Sequence, residues 1–355
     1  MTEKESASME KFRISCDPRW YEAWPDVTRS PDGRVLVVFT QCVHHGDRSN
    51  TRLMLTESAD DGRTWGEKRA LTPESAGTQF SYNCARLTTL RDGRLAVVVD
   101  CLPREREKES SLAKAKTLLY LSSDNGRTWD PPKQVPLAGI VPSKLTELSG
   151  GRWLISAHRF LDGRLAQYLI YSDDGGASWS DEVLVAYDRR YNLCEGALCE
   201  FPEEHAVVCF LRENSGLGLD CQKVVSYDGG EHWSPVVAFP LPGCHRPVAG
   251  RLADGQLLLT YRFSQGGKGW LGTWTQNFFG AFSDTPSALA IRREDSWTRV
   301  FPIDFDRSSK SDLGYSGWVQ LENGELLVVS YIVDDAVDRG QIRGYLFFPG
   351  EFSLP

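Results

Sequence analysis

Apolar residues along this chain do not recur every three or four positions. They come in short aliphatic and β-branched runs separated by tight turns, the pattern of strands rather than of amphipathic helices. One strand-turn-strand pattern occurs six times: PDVTRSPDGRVLVVF, ARLTTLRDGRLAVVV, SKLTELSGGRWLISA, GALCEFPEEHAVVCF, VAGRLADGQLLLTYR and WVQLENGELLVVSYI, beginning near residues 25, 85, 143, 196, 247 and 318. The Asp-Gly, Gly-Gly and Asn-Gly pairs in it supply the positive φ that a tight hairpin needs. One charged stretch, REREKESSLAKAK at 104–116, is read as a solvated loop or short helix.

A second repeat runs out of phase with the first. Ser-x-Asp-x-Gly-x-x-Trp appears as SADDGRTW from Ser58, SSDNGRTW from Ser122, SDDGGASW from Ser172 and SYDGGEHW from Ser226. The Ser and Asp side chains can hold the amides of a turn, Gly takes the positive φ, and Trp plugs the space between strands. Each string therefore reads as a folding staple, with one or two carboxylates too few for a convincing calcium site. A decayed copy is expected around REDSW (293–297), and none in the last repeat. Six hairpins with such strings between them predict an all-β chain, a six-bladed β-propeller of four-stranded antiparallel blades with about 59 residues per blade. The whole chain, 1–355, is expected to be one such domain with roughly ten flexible residues at its start. The last blade is expected to be completed by the N-terminal segment KFRIS.

Composition narrows the function classes. A net charge of −8 argues against a nucleic-acid surface, which needs clustered Lys and Arg. No apolar run reaches the length of a membrane-spanning helix. The start MTEKESASMEKFRIS lacks the apolar core of a signal peptide, so a cytoplasmic location is expected. Nine Cys show no metal-ligand spacing; Cys194/Cys199 and Cys209/Cys221 are conceivable bridges, but free buried thiols are expected in a reducing compartment. No phosphate-binding Gly loop or zinc pattern is present, so no cofactor is expected.

In a propeller the residues that begin the innermost strands surround the central mouth. Here these read EAWPD (22–26), SYNCA (81–85), GIVPS (139–143), NLCEG (192–196), CHRPV (244–248) and GYSGW (314–318). They gather Glu22, Asp26, Glu195, His245, Arg246 and Tyr315, a concentration of ionisable groups unusual for plain strand starts. His158, Arg159 and Arg262, at strand ends, are further candidates for the mouth.

With its four Asp boxes and these strand starts, the chain resembles the sialidase family over essentially its whole length. The resemblance implies a Tyr nucleophile at the start of the last blade, in a Tyr-Ser context matched by Tyr315-Ser316. It implies a Glu that polarises this Tyr, matched by Glu195, and Arg residues that grip a sugar carboxylate, matched by Arg212 and Arg246. It also implies an acid/base Asp in the loop after the first hairpin, matched by Asp47 in HHGDRSN. The chemistry is coherent. A phenol needs a base to become nucleophilic at neutral pH, and an initially neutral nucleophile is not repelled by the carboxylate of a sugar acid. Arg forks bind that carboxylate in two-pronged contacts.

The chain departs from the family in its first blade. Sialidases begin it with Arg-Ile-Pro, and this chain has Ala23-Trp24-Pro25, so the first Arg of the family's cluster is missing; Arg13 and Arg19 lie upstream at a different spacing. Trp24 is either a stacking platform for a sugar ring or a core residue, and the missing arm favours an acidic sugar other than the common sialic acids. His245 and Arg262 complete the expected substrate contacts. The expected function is a sialidase-like retaining exo-glycosidase acting on an oligosaccharide or glycoconjugate. Two other classes stay open: a lyase acting on a uronate, for which His44, His45, His158 and His245 offer bases, and a non-catalytic sugar-binding propeller.

Overall fold

The computed structural model describes residues 9–104, 110–264, 276–334 and 339–352. Within them lie six four-stranded antiparallel sheets, five built from consecutive strands and the sixth closed by the N-terminal strand. The innermost strands are Tyr21–Arg29 in blade one, Phe80–Thr89 in blade two, Thr146–Glu147 in blade three, Leu193–Phe201 in blade four, Cys244–Arg251 in blade five and Leu313–Gln320 in blade six. In the last sheet, Glu10–Ser15 pairs antiparallel with Gln341–Phe347, so KFRIS is the clasp expected from the sequence.

The runs look continuous rather than alternating because each sheet is covered on both faces. In blade one, Leu36 and Val38 pack with Ala85, Leu87 and Val97 of blade two. The alternate residues Val35, Val37 and Phe39 pack with Leu327, Val329 and Tyr331 of blade six. The remaining four neighbouring pairs of blades meet through four further apolar clusters, so the core is a ring of six seams.

The Asp boxes are turns between the third and fourth strands, and they are closed by their own side chains. Ser58 Oγ accepts from Gly62 N at 2.8 Å and donates to Asp60 Oδ1 at 2.7 Å, and Asp60 in turn accepts from Thr64 N and Thr64 Oγ1. The Trp65 indole N–H donates to Gly62 O at 3.0 Å. The same Ser-Asp-Gly pattern repeats from Ser122, Ser172 and Ser226. Blade five differs from expectation in its details: Asp284 caps a short helix, Thr285–Leu289, and anchors the Trp297 indole at 2.8 Å, so the decayed box keeps its Trp but draws its Asp from further upstream. Of the charged stretch at 104–116, residues 105–109 lie outside the described residues and Ser110–Ala113 form one helical turn. Residues 1–8, most of the start expected to be flexible, also lie outside them.

Candidate active site

Each innermost strand begins with the same irregularity. Two residues oppose one on the neighbouring strand at 24–25, 83–84, 195–196, 246–247 and 314–315. In blade three, Ile140 pairs with His158 and Ser143 N donates to Ser156 O, so 141–142 form the same bulge. The first residue of the pair is left-handed at Trp24, Val141, Glu195, Arg246 and Gly314, with φ of 53°, 50°, 52°, 52° and 94°. A bulge re-aims side chains, and a left-handed non-Gly residue costs about 1–3 kcal/mol, so the fold holds strain at the rim of its central channel.

These bulges bring Tyr315 and Glu195 together across the channel. The Tyr315 hydroxyl donates to Glu195 Oε1. Arg212 Nη1 donates to the same carboxylate oxygen at 2.9 Å and to the Tyr315 oxygen at 3.1 Å. The Arg262 guanidinium lies 4.4 Å from the Tyr315 ring centre. All four are buried or nearly so. Burial opposes ionisation of Glu195, but Arg212, His158 and Arg246 outweigh it and hold the carboxyl below its usual range. Burial and the Glu195 charge push the Tyr315 phenol up, with the Arg262 and Arg212 guanidiniums opposing. The resting pair is therefore a neutral phenol hydrogen-bonded to a carboxylate. His158 Nδ1 accepts from Glu195 N at 3.2 Å, and burial lowers this imidazole to about 4. Burial, with Arg212 and Arg262 adding to it, lowers His245 to about 2, so both imidazoles are uncharged at neutral pH.

A second group adjoins the first. Asp312, three residues before Tyr315, accepts from Tyr21 Oη and Tyr331 Oη at 2.5 Å each and bonds to His45 Nδ1. Arg262 Nη1 lies 3.7 Å from its other oxygen, which links the two groups. Burial pushes the Asp312 carboxyl up, but the bonds and charges of His45, Arg262 and Tyr21 prevail and keep it ionised. Tyr21, His45, Arg262, Lys310 and Asp312 line a cleft of about 730 Å³ above the channel. Sequence reading missed Asp312, Tyr21 and Tyr331 because their meeting joins strand ends of blades one and six; the only signal was the position of Asp312 beside the Tyr315 bulge.

The other expected residues are distributed as follows. Asp47 sits across the hairpin turn from His44, is exposed, and accepts from Ser49 N at 2.9 Å; it is His45 of that loop that lines the cleft. Trp24 is 2% exposed, with the Arg48 guanidinium 3.8 Å from its ring centre and His45 at its edge. It is a core residue rather than a sugar platform, and Ala23 stands where the sialidase resemblance expects the first Arg. Arg246 donates to Pro142 O at 2.8 Å and faces the opposite end of the channel, since its bulge turns it below the Tyr315 layer. Arg262 takes the place beside Tyr315 that Arg246 was expected to fill. Glu22 accepts from Gln41 and is ion-paired with Lys68, Asp26 is paired with Arg86 and Lys144, and Arg159 with Glu182. Arg13 bonds Gln341 in the clasp and Arg19 pairs with Asp17. All nine Cys are unpaired, eight of them buried.

Comparison with known proteins agrees with this architecture. The model of the BNR repeat-like domain matches residues 81–328. A protein of unknown function from Dyadobacter fermentans superposes with a TM-score of 0.76 at 21% identity, covering 96% of this chain and 99% of that one. NanB sialidase from Streptococcus pneumoniae gives 0.69 at 13% identity, covering 96% and 70%. The leech intramolecular trans-sialidase, solved with 2,7-anhydro-Neu5Ac, gives 0.69 at 14% identity, also covering 96% and 70%. No curated protein matches the sequence. The chain belongs to the BNR repeat-like domain family and shares its six-bladed propeller fold with these sialidase structures.

Proposed function

We propose that the protein is a retaining exo-glycosidase that removes a terminal acidic sugar from an oligosaccharide through a covalent intermediate on Tyr315. The observation that carries this reading is the Tyr315 hydroxyl bonded to an ionised Glu195, with Arg212 touching both oxygens. Tyr315 oxygen attacks the anomeric carbon while its proton passes to Glu195, and the bond to the leaving oxygen breaks. His45, held by Asp312 at the cleft, supplies the proton to that oxygen in place of Asp47. Water then gives a proton back to His45 and attacks the anomeric carbon, and Tyr315 leaves with the proton from Glu195. Arg212 and Arg262 suit a sugar carboxylate, which supports an acidic sugar. The pneumococcal and leech neighbours are a sialidase and a trans-sialidase; Ala23 at the place of the family's first Arg favours an acidic sugar other than the common sialic acids.

One observation favours a second reading. A His oriented by a carboxylate is also a base, so His45–Asp312 suits proton abstraction beside a uronate carboxylate, with Arg262 neutralising it. A mass-spectrometric screen of acidic and neutral oligosaccharides separates the two, with Tyr315→Phe run alongside. Release of one hydrated sugar by the wild type, and none by Tyr315→Phe, is the expected result. Products one water lighter than hydrolysis would convert the reading to a lyase, and no turnover on a broad panel would leave a binding propeller.

A further inference from the structure

At the end of the channel opposite the cleft, the same bulges gather a cluster of cations that the proposed chemistry does not use. Arg86 and Arg246 are 1% and 2% exposed, and Lys144 stands between them. Asp26 is the only carboxylate paired with this trio among the described residues, at 3.2 Å from Arg86 Nε and 2.9 Å from Lys144 Nζ. Other donors go to backbone carbonyls: Arg86 Nη2 to Ser316 O at 2.9 Å, Arg246 Nη2 to Pro142 O at 2.8 Å and Lys144 Nζ to Val27 O at 3.1 Å. At the rim Arg91 adds a fourth cation and Glu147 a second carboxylate, and Arg91 is itself paired with Glu200 at 4.0 Å. The four cations exceed the three carboxylates, Asp26, Glu147 and Glu200, by one positive charge.

These groups line a cavity of about 360 Å³, large enough for a small ion and its water. Three polar atoms of its lining residues, Arg86 Nε, Arg246 Nε and Thr88 Oγ1, are buried with no hydrogen-bond partner. Uncompensated buried charge and orphaned donors are costly unless a counter-ion satisfies them. Burial pushes the Lys144 amine down and Asp26 raises it again. A chain with a net charge of −8 that keeps a positive pocket at one channel mouth has a local field opposite to its overall one.

We propose that this lower cavity binds a small tetrahedral oxyanion of the phosphate or sulfate type, gripped by Lys144, Arg246 and Arg86. The positive excess attracts an anion, and guanidinium forks match its oxygens. The site is separate from the His45–Asp312 cleft and needs no turnover.

Inorganic phosphate is titrated calorimetrically into the full chain, and crystals are soaked in selenate for anomalous scattering. The expected outcome is one phosphate bound and an anomalous peak among Lys144, Arg246 and Arg86. Lys144→Met weakens phosphate binding about tenfold or more, Lys144→Arg keeps it, and Arg212→Met beside Tyr315 leaves it unchanged. The selenate peak reads the site even if Lys144→Met folds poorly. No binding by the wild type, or binding and a peak that depend on Arg212 alone, would overturn the proposal.

Discussion

At Glu195 a left-handed backbone points the carboxylate across the channel to a phenol from two blades further on. The same layer holds two imidazoles neutral, because His158 and His245 are crowded by burial and by guanidiniums. This has a consequence for stability. The ordinary value is 6.5, and the folded values are about 4 and about 2. Below 6.5 the unfolded chain takes up protons that the folded chain refuses, so stability falls as pH falls. The His158 share is lost between 6.5 and about 4, and the His245 share continues toward about 2. Each contributes a slope approaching about 1.4 kcal/mol per pH unit. Urea midpoints at pH 7, 6 and 5 should decline accordingly, and His158→Gln should make the decline shallower. A midpoint constant over that range would mean that both imidazoles are charged in the fold.

The bulge is the element that turns a strand into part of a site. In blade six its first residue is Gly314, at φ 94°, and a Cβ there would stand 2.7 Å from Arg262 Cβ and 2.9 Å from Arg262 Cα. Only Gly lets the last blade come close enough for Arg262 to lie on the Tyr315 ring. Gly314→Ala should lower stability by about 1–3 kcal/mol through backbone strain. It should also displace Arg262, so KM for an acidic sugar rises more than kcat falls. Parallel losses in both constants would place Arg262 in the chemistry rather than in substrate grip. The Asp boxes are the opposite kind of element, self-sufficient turns. Hydrogen bonds from Thr64 and Thr128 hold Asp60 and Asp124 at about 2, so their contribution is complete above about pH 4 and fades as pH falls through about 2.

For the whole molecule, ring closure is the central device. The clasp strand covers the edge of Gln341–Phe347, and Phe12 and Ile14 seat in the seam between blades six and one. Removing residues 1–15 should bare that edge and lower the unfolding temperature by on the order of 10 °C, with a tendency to self-associate. Differential scanning calorimetry and light scattering read both effects; an unchanged transition would mean that the ring closes without its clasp.

Much of this was legible in the residues alone. Six hairpin copies and four Asp boxes repeat because each blade must bury both faces against its neighbours, and a repeated physical task leaves a repeated pattern. The KFRIS clasp followed from the same count, as the last blade lacked its own outer strand. Tyr315 and Glu195 could be named as strand-start residues at the mouth, whereas Arg212 and the roles of all three were implied by the resemblance to sialidases. What the residues alone did not reveal was direction. The opposite fates of Arg246 and Arg262, the burial of Trp24 beneath Arg48, and the placing of His45 rather than Asp47 at the cleft depend on how each bulge and loop turns its side chains. Asp312 meets Tyr331 within blade six, but it joins Tyr21 and His45 only when blades one and six meet, contacts 291 and 267 residues apart along the chain that no local pattern encodes.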